Sequence, residues 1–182
     1  ENNAKDFSYD ASGNLVQVVE HNGSNYTTAY EYDGNKNLTK ITDADGNIRN
    51  FTYDGLNRRL TAEDLHDSGD GTFGSWTYTY DDAGNLSSQI DPKSQMVSLS
   101  YDALNRVLTE DYTGQAGTEI AYAYDSCTEG IGRLCSATTP DAVTTIAYDP
   151  LGRVATENRT ISGNAFSTQY SYDRQGNLAY LT

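Results

Sequence analysis

Methionine and tryptophan occur once each in this chain of 182 residues, histidine and cysteine twice, proline three times. Cations are scarce as well: 12 Lys plus Arg stand against 26 Asp plus Glu, a formal net charge of −14. That balance argues against nucleic-acid binding, because a phosphate backbone needs clustered Lys and Arg. It makes an acidic membrane surface a poor partner for the same reason. No run of 18 apolar residues occurs, so no membrane-spanning helix and no membrane insertion is expected. The opening stretch ENNAKDFSYD has no signal-peptide pattern. Two Cys alone make a poor structural zinc site, which wants four Cys or His ligands, and the two His lie far off in other repeats. The sequence names no cofactor.

Fifteen Tyr and sixteen Gly dominate what remains. Tyr, Thr and Val favour pleated surfaces, whereas Gly, Asn and Asp favour turns. The expected fold class is therefore all-β. The dipeptide Tyr-Asp recurs eight times, as Tyr9-Asp10, Tyr32-Asp33, Tyr53-Asp54, Tyr80-Asp81, Tyr101-Asp102, Tyr124-Asp125, Tyr148-Asp149 and Tyr172-Asp173. The intervals are 23, 21, 27, 21, 23, 24 and 24 residues. Such self-similarity marks a repeat architecture.

Each copy reads as a hairpin turn, as in YDASGNL, YDALNRV and YDPLGRV. Asp suits the first position of a type I turn, Pro the second and Gly the fourth. The fourth residue must adopt a left-handed conformation, as in a G1 bulge. Its occupants are Gly13, Lys36, Asn57, Gly84, Asn105, Gly132, Gly152 and Gly176. Gly and Asn suit this conformation; Lys36 is the poor fit. The Asp side chain can cap the turn's own N–H groups, so the recurrent Asp is read as structural. Two residues before each Tyr stands an apolar one, from Phe7 to Tyr170, on the same face of the strand. Second turns fall at 43–47, 91–95 and 161–165. One unit is then a hairpin of about 23 residues. Eight units make a single array over 1–182, expected to form a curved, spiralling antiparallel sheet with Tyr packed in ladders.

This repeated Tyr-Asp-x-x-Gly-Arg/Asn-Leu/Val pattern resembles the YD-repeat family, also called rearrangement hot spot (RHS) repeats, from Phe7 to about Leu181. The resemblance implies a partial shell: an interior segment of a larger secreted or cell-surface protein. Its partners would be the remaining repeats or an enclosed domain, such as a toxin. The self-cleaving terminus of bacterial relatives is not visible; DPLG at 149–152 resembles it only superficially and runs on as an ordinary repeat.

Several residues stand outside the repeat grammar. Cys127 and Cys135 flank an enlarged turn in the sixth copy, and a disulfide clasping that loop is the simplest reading in an extracellular setting. The acidic loop 63–76 carries Asp64, Asp67 and Asp70, weak candidates for a calcium site; the turn at 43–47 invites the same thought. Neither fits the EF-hand spacing. A hydrolase reading finds no Gly-x-Ser-x-Gly elbow, and His21 and His66 sit in turn-like polar contexts. Trp76 and Tyr112, with Tyr26 and Phe73, are aromatics the fold does not require, hence candidates for contact with glycans or cell-surface proteins. The leading expectation is a non-catalytic scaffold; the alternative is an adhesion or carbohydrate-binding module.

Overall fold

A computed structural model of the chain describes residues 4–114 and 117–182. The described residues form sixteen strands and no helix. Strand order follows chain order without crossover, in an open sheet. All pairings seen between strands are antiparallel. The chain divides into two compact units, one reaching to Tyr80 and including Gln89–Gln95, the other made of Asp81–Ser88 and Met96–Thr182.

The first unit holds β1 (Ala4–Tyr9), β2 (Leu15–Asn22), β3 (Ser24–Tyr32), β4 (Leu38–Thr42), β5 (Ile48–Tyr53), β6 (Arg59–Glu63) and β7 (Ser75–Tyr80). β8 (Leu86–Ile90) spans the division. The second unit holds β9 (Met96–Tyr101), β10 (Val107–Tyr112), β11 (Ile120–Tyr124), β12 (Leu134–Thr138), β13 (Ala142–Tyr148), β14 (Val154–Ile161), β15 (Asn164–Tyr172) and β16 (Leu178–Leu181).

Every odd-numbered strand from β1 to β15 ends on the Tyr of a Tyr-Asp corner, and a second turn precedes each of them from β3 onward. The corner is a type I turn closed by a bulge. In the first copy the Gly13 N–H donates to the Asp10 carbonyl at 3.1 Å and the Asp10 N–H to the Asn14 carbonyl at 2.9 Å. Pairing slips at Ser8/Tyr9, which sets Tyr9 opposite Leu15. All eight residues at the fourth position have positive φ, Lys36 included at 68°. The misfit thus adopts the left-handed geometry that its neighbours impose. The second turns at 43–47 and 91–95 repeat the grammar, with Gly46 and Ser94 at positive φ.

Little is deeply buried. Among the described residues the buried ones are Val18, Phe51, Ala62, His66, Gly130 and Cys135. Each unit is a sheet whose faces are covered mainly by its own side chains, so its order rests on backbone pairing and on contacts between successive copies.

Candidate functional site

The corners are the most elaborate chemistry in the molecule. In the third copy the Asp54 carboxylate accepts from the Leu56 N–H at 2.8 Å, the Arg58 N–H at 2.9 Å and the Arg58 Nε at 2.7 Å. Asp10 does the same with Ser12 and Asn14. A carboxylate so surrounded favours its charged form. The Arg58 main-chain N–H, and then its guanidinium, hold Asp54 below the ordinary Asp range. Asp10, Asp33, Asp81, Asp102, Asp149 and Asp173 are lowered likewise, through Asn or Arg at the end of the turn and its N–H groups. Asp125 is lowered by the Arg106 guanidinium of the preceding copy and then by the Gly132 N–H. These bonds tie each recurrent Asp to the backbone of its own turn.

The Tyr hydroxyl links one copy to the one before it. Tyr32 donates to the Leu15 carbonyl at 2.9 Å, Tyr53 to Leu38 at 2.9 Å and Tyr80 to Arg59 at 2.8 Å. In the second unit Tyr101 donates to Leu86, Tyr124 to Val107, Tyr148 to Leu134 and Tyr172 to Val154, at 2.7–3.0 Å. In each pair the acceptor is the first residue of the strand that follows the preceding corner.

The residue closing each turn is a second link that the sequence pattern did not reveal. Where it is Arg, its guanidinium lies over the ring of the next repeat Tyr: Arg58 on Tyr80 at 4.6 Å, Arg106 on Tyr124 at 4.3 Å, Arg133 on Tyr148 at 5.4 Å, Arg153 on Tyr172 at 4.3 Å. Where it is Asn37 or Asn85, its amide donates to the side chain of Asn57 or Asn105 in the next copy. This accounts for Asn rather than Gly at those two left-handed positions. Lys36 reaches back to the Ser12 carbonyl at 3.1 Å. The signal was in the sequence as the alternation of Arg and Asn after the left-handed residue.

The enlarged sixth corner keeps both links. Cys127 and Cys135 form a disulfide. Gly130 lies so close to both sulfurs that a Cβ there would collide with them. Gly132 donates to Asp125 at 2.6 Å, and Arg106 bridges Asp102 and Asp125. The Thr128 carbonyl accepts from the Tyr148 N–H at 3.1 Å, so the loop is tied to the next copy.

The acidic loop is organised differently from a calcium site. Asp67 accepts from the Gly69 N–H and Asp70 from the Thr72 N–H and hydroxyl, all at 2.7–2.8 Å. Asp64 lines a separate cleft. Each carboxylate is thus turned to its own surroundings, and among the described residues no three His, Cys, Asp or Glu side chains gather. Asp43 likewise caps Asp45 and Asn47. The loop is held down by His66, which is 8% exposed, stacks on Phe73 at 3.8 Å between ring centres and exchanges two main-chain bonds with Ile48. His66 is therefore not in the polar, turn-like setting expected of it. His21 lies on β2 between Asp6 and Asn25.

The aromatic candidates part company. Phe73 belongs to the His66 anchor. Tyr26 is 51% exposed on β3, and Tyr112 is bonded locally to Glu110 and Glu119. Trp76 lines an open cleft of about 670 Å³ with Arg49, Phe51, Arg59, Ala62, Asp64, Tyr78 and Gln89.

A sheet of corner-linked hairpins, each copy bonded to the last by a Tyr hydroxyl, defines a wall of Tyr-Asp repeats. The Teneurin YD-shell family profile matches residues 1–132, and the chain belongs to that family. No curated protein matches it. Among solved structures it is similar to a Photorhabdus luminescens Tc holotoxin pore carrying a TccC3 mutation, at 18% identity and a TM-score of 0.75 over 98% of this chain. It is also similar to complexes of TcdB2 with TccC3, with Cdc42 (16% identity, TM-score 0.73) and without it (16%, 0.74), each over 97% of this chain. At such identities the likeness shows the fold. The chain spans about a tenth of the length of each of these relatives.

Proposed function

We propose that the chain is a non-catalytic wall segment of a longer secreted or cell-surface protein, and that the assembled wall encloses or displays another domain. The observation that carries this reading is the Tyr hydroxyl bond to the preceding copy, made by seven successive repeat tyrosines from Tyr32 to Tyr172. Side chains that other proteins use for binding are spent here on joining copies. Family membership supports a structural role, and the fraction of each relative's length supports a longer parent. Phe7 and Tyr9 in β1, and Leu178 and Tyr180 in β16, are more than half exposed, while the matching positions of inner copies are covered by neighbours. Further repeats are the partners that suit those surfaces.

Limited proteolysis of the natural full-length protein tests enclosure. An enclosed domain resists cleavage together with the array and becomes sensitive when mild denaturant opens the wall. Cleavage of that domain at the rate of its isolated form defeats enclosure and leaves display, which electron microscopy shows as density outside the wall.

A further inference from the structure

The seam between the sixth and seventh copies is closed differently from the others. The β12–β13 ladder runs over Ser136–Thr138 and stops short of the corners. The enlarged loop fills the space beyond it. The Thr128 carbonyl accepts from the Tyr148 N–H at 3.1 Å, and the Arg133 guanidinium lies over the Tyr148 ring and against Gly152. Among the described residues no other corner loop makes a main-chain bond to the next copy.

The loop holds backbone strain inside its disulfide. Asp125 and Glu129 have φ of 67° and 53°, in the left-handed region that L side chains disfavour. Gly130 is buried, with its main chain against both sulfurs. Its N–H donates to the Cys127 carbonyl at 3.0 Å, and its carbonyl accepts from the Arg133 N–H at 2.8 Å. The Arg133 guanidinium donates to the Glu129 and Ile131 carbonyls, each at 3.1 Å. The sulfurs, Gly130 and the two contacts with Tyr148 thus form one continuous packed path. Two unbonded sulfurs need more room than a bonded pair, and Gly130 closes off that side.

We propose that this disulfide is a redox latch: a thiol reductant opens it and loosens the seam between the sixth and seventh copies, while the other junctions stay closed. Cys135 is 4% exposed, whereas Cys127 is half-buried between the exposed Ser126 and Thr128. A thiolate of the reductant therefore attacks the Cys127 Sγ. The S–S bond breaks, a mixed disulfide forms on Cys127, and Cys135 leaves as a thiolate that takes a proton from water. A second thiol of the reductant displaces the Cys127 sulfur, and the reductant departs as its own disulfide, so two electrons pass to the chain. The freed sulfurs part, Asp125 and Glu129 relax, and the Thr128–Tyr148 bond is given up. The bond from the Tyr148 hydroxyl to the Leu134 carbonyl, at 2.7 Å, lies on the strand outside the loop and keeps the copies joined. The latch acts on the wall itself, whether the wall encloses a domain or displays one.

Residue-resolved hydrogen exchange of the full chain tests the latch in four states: oxidised, treated with reduced glutathione, treated with a Cys-x-x-Cys dithiol protein such as thioredoxin, and re-oxidised. On reduction the Tyr148 amide is expected to exchange about tenfold or more faster, beyond any rise shared by β9 to β16. Amides of β14 and β15 follow the shared rise alone, and re-oxidation restores the first pattern. Opening by glutathione supports a latch read by small thiols; opening by the dithiol protein alone supports one read by an oxidoreductase. The Cys127→Ser, Cys135→Ser double variant shows the loosened pattern without reductant, and its circular dichroism spectrum checks that it folds. A Tyr148 amide equally protected after reduction overturns the latch. A rise of equal size throughout β9 to β16 reduces the disulfide to a staple on the whole unit, and a disulfide that neither thiol reduces in the folded chain also overturns the proposal.

Discussion

The Tyr101 hydroxyl donates to the Leu86 main-chain carbonyl at 2.9 Å, across the boundary between two copies of the repeat. Tyr101→Phe removes this bond and nothing else of the ring. It is expected to destabilise by about 1 kcal/mol, the usual net worth of one such bond. Urea denaturation with unchanged far-ultraviolet dichroism checks it; an unchanged midpoint would show that the hydroxyl is idle.

Gly152→Val should cost more than about 1 kcal/mol, because a β-branched residue resists positive φ. Gly152 has φ 76°, and a Cβ there would also strike the Arg133 guanidinium. Gly84→Val, at φ 89°, should exceed about 1 kcal/mol on backbone grounds alone. Melting temperatures unchanged in both variants would refute the turn geometry.

Lys36 makes the opposite case. It holds φ 68° in a position made for Gly. Lys36→Gly relieves roughly 1–2 kcal/mol of backbone strain and costs roughly 0.5–1 kcal/mol of chain entropy. A net gain of about 0.5 kcal/mol is expected, since the exposed bond from its ammonium to Ser12 contributes little. Destabilisation on denaturant titration would assign that bond more weight than exposure suggests.

Replacing both Cys127 and Cys135 with Ala opens a loop of about nine residues and should cost about 2.5 kcal/mol in the chain-entropy model. Melting with and without reductant measures the same quantity in the unmodified chain. A shift confined to the sixth and seventh copies in hydrogen exchange would match the Thr128–Tyr148 tie.

The corner carboxylates set the acid limit. Their folded values are lowered, so their contribution is complete above the ordinary Asp value near 3.9 and is lost as pH falls through the lower folded values. His21 acts in the other direction. Its bonds to Asp6 and then Asn25 raise it, so its contribution is complete below the ordinary His value and fades as pH rises through the folded one. A melting temperature that falls below about pH 4 fits the corner chemistry, and a smaller decline as pH rises past the ordinary His range fits the bonds of His21. Asp54→Asn should shrink the acid-dependent part.

Much of this architecture was legible because a turn is a local decision. Asp149-Pro150-Leu151-Gly152 states its own geometry within four residues, and the bulge follows. Arg58 was harder to read. Its role depends on reaching Tyr80, and no local rule connects positions 22 residues apart. His66 was misjudged because its neighbours in sequence are polar, whereas its burial comes from the loop folding back on Ile48. The Trp76 cleft needed register: only the pairing of Phe51, Ala62 and Trp76 puts a gap between the two aromatics.

The Tyr–carbonyl bond joins each copy to its immediate predecessor, so the array behaves as a chain of interchangeable couplers. An in-frame duplication or deletion of one whole unit leaves every remaining junction chemically intact, because the incoming Tyr finds the same kind of carbonyl at the same place. Length can therefore drift between descendants by whole units at little cost to folding, whereas a gain or loss of a single residue inside a strand shifts its side chains to the opposite face and disrupts the junctions on both sides.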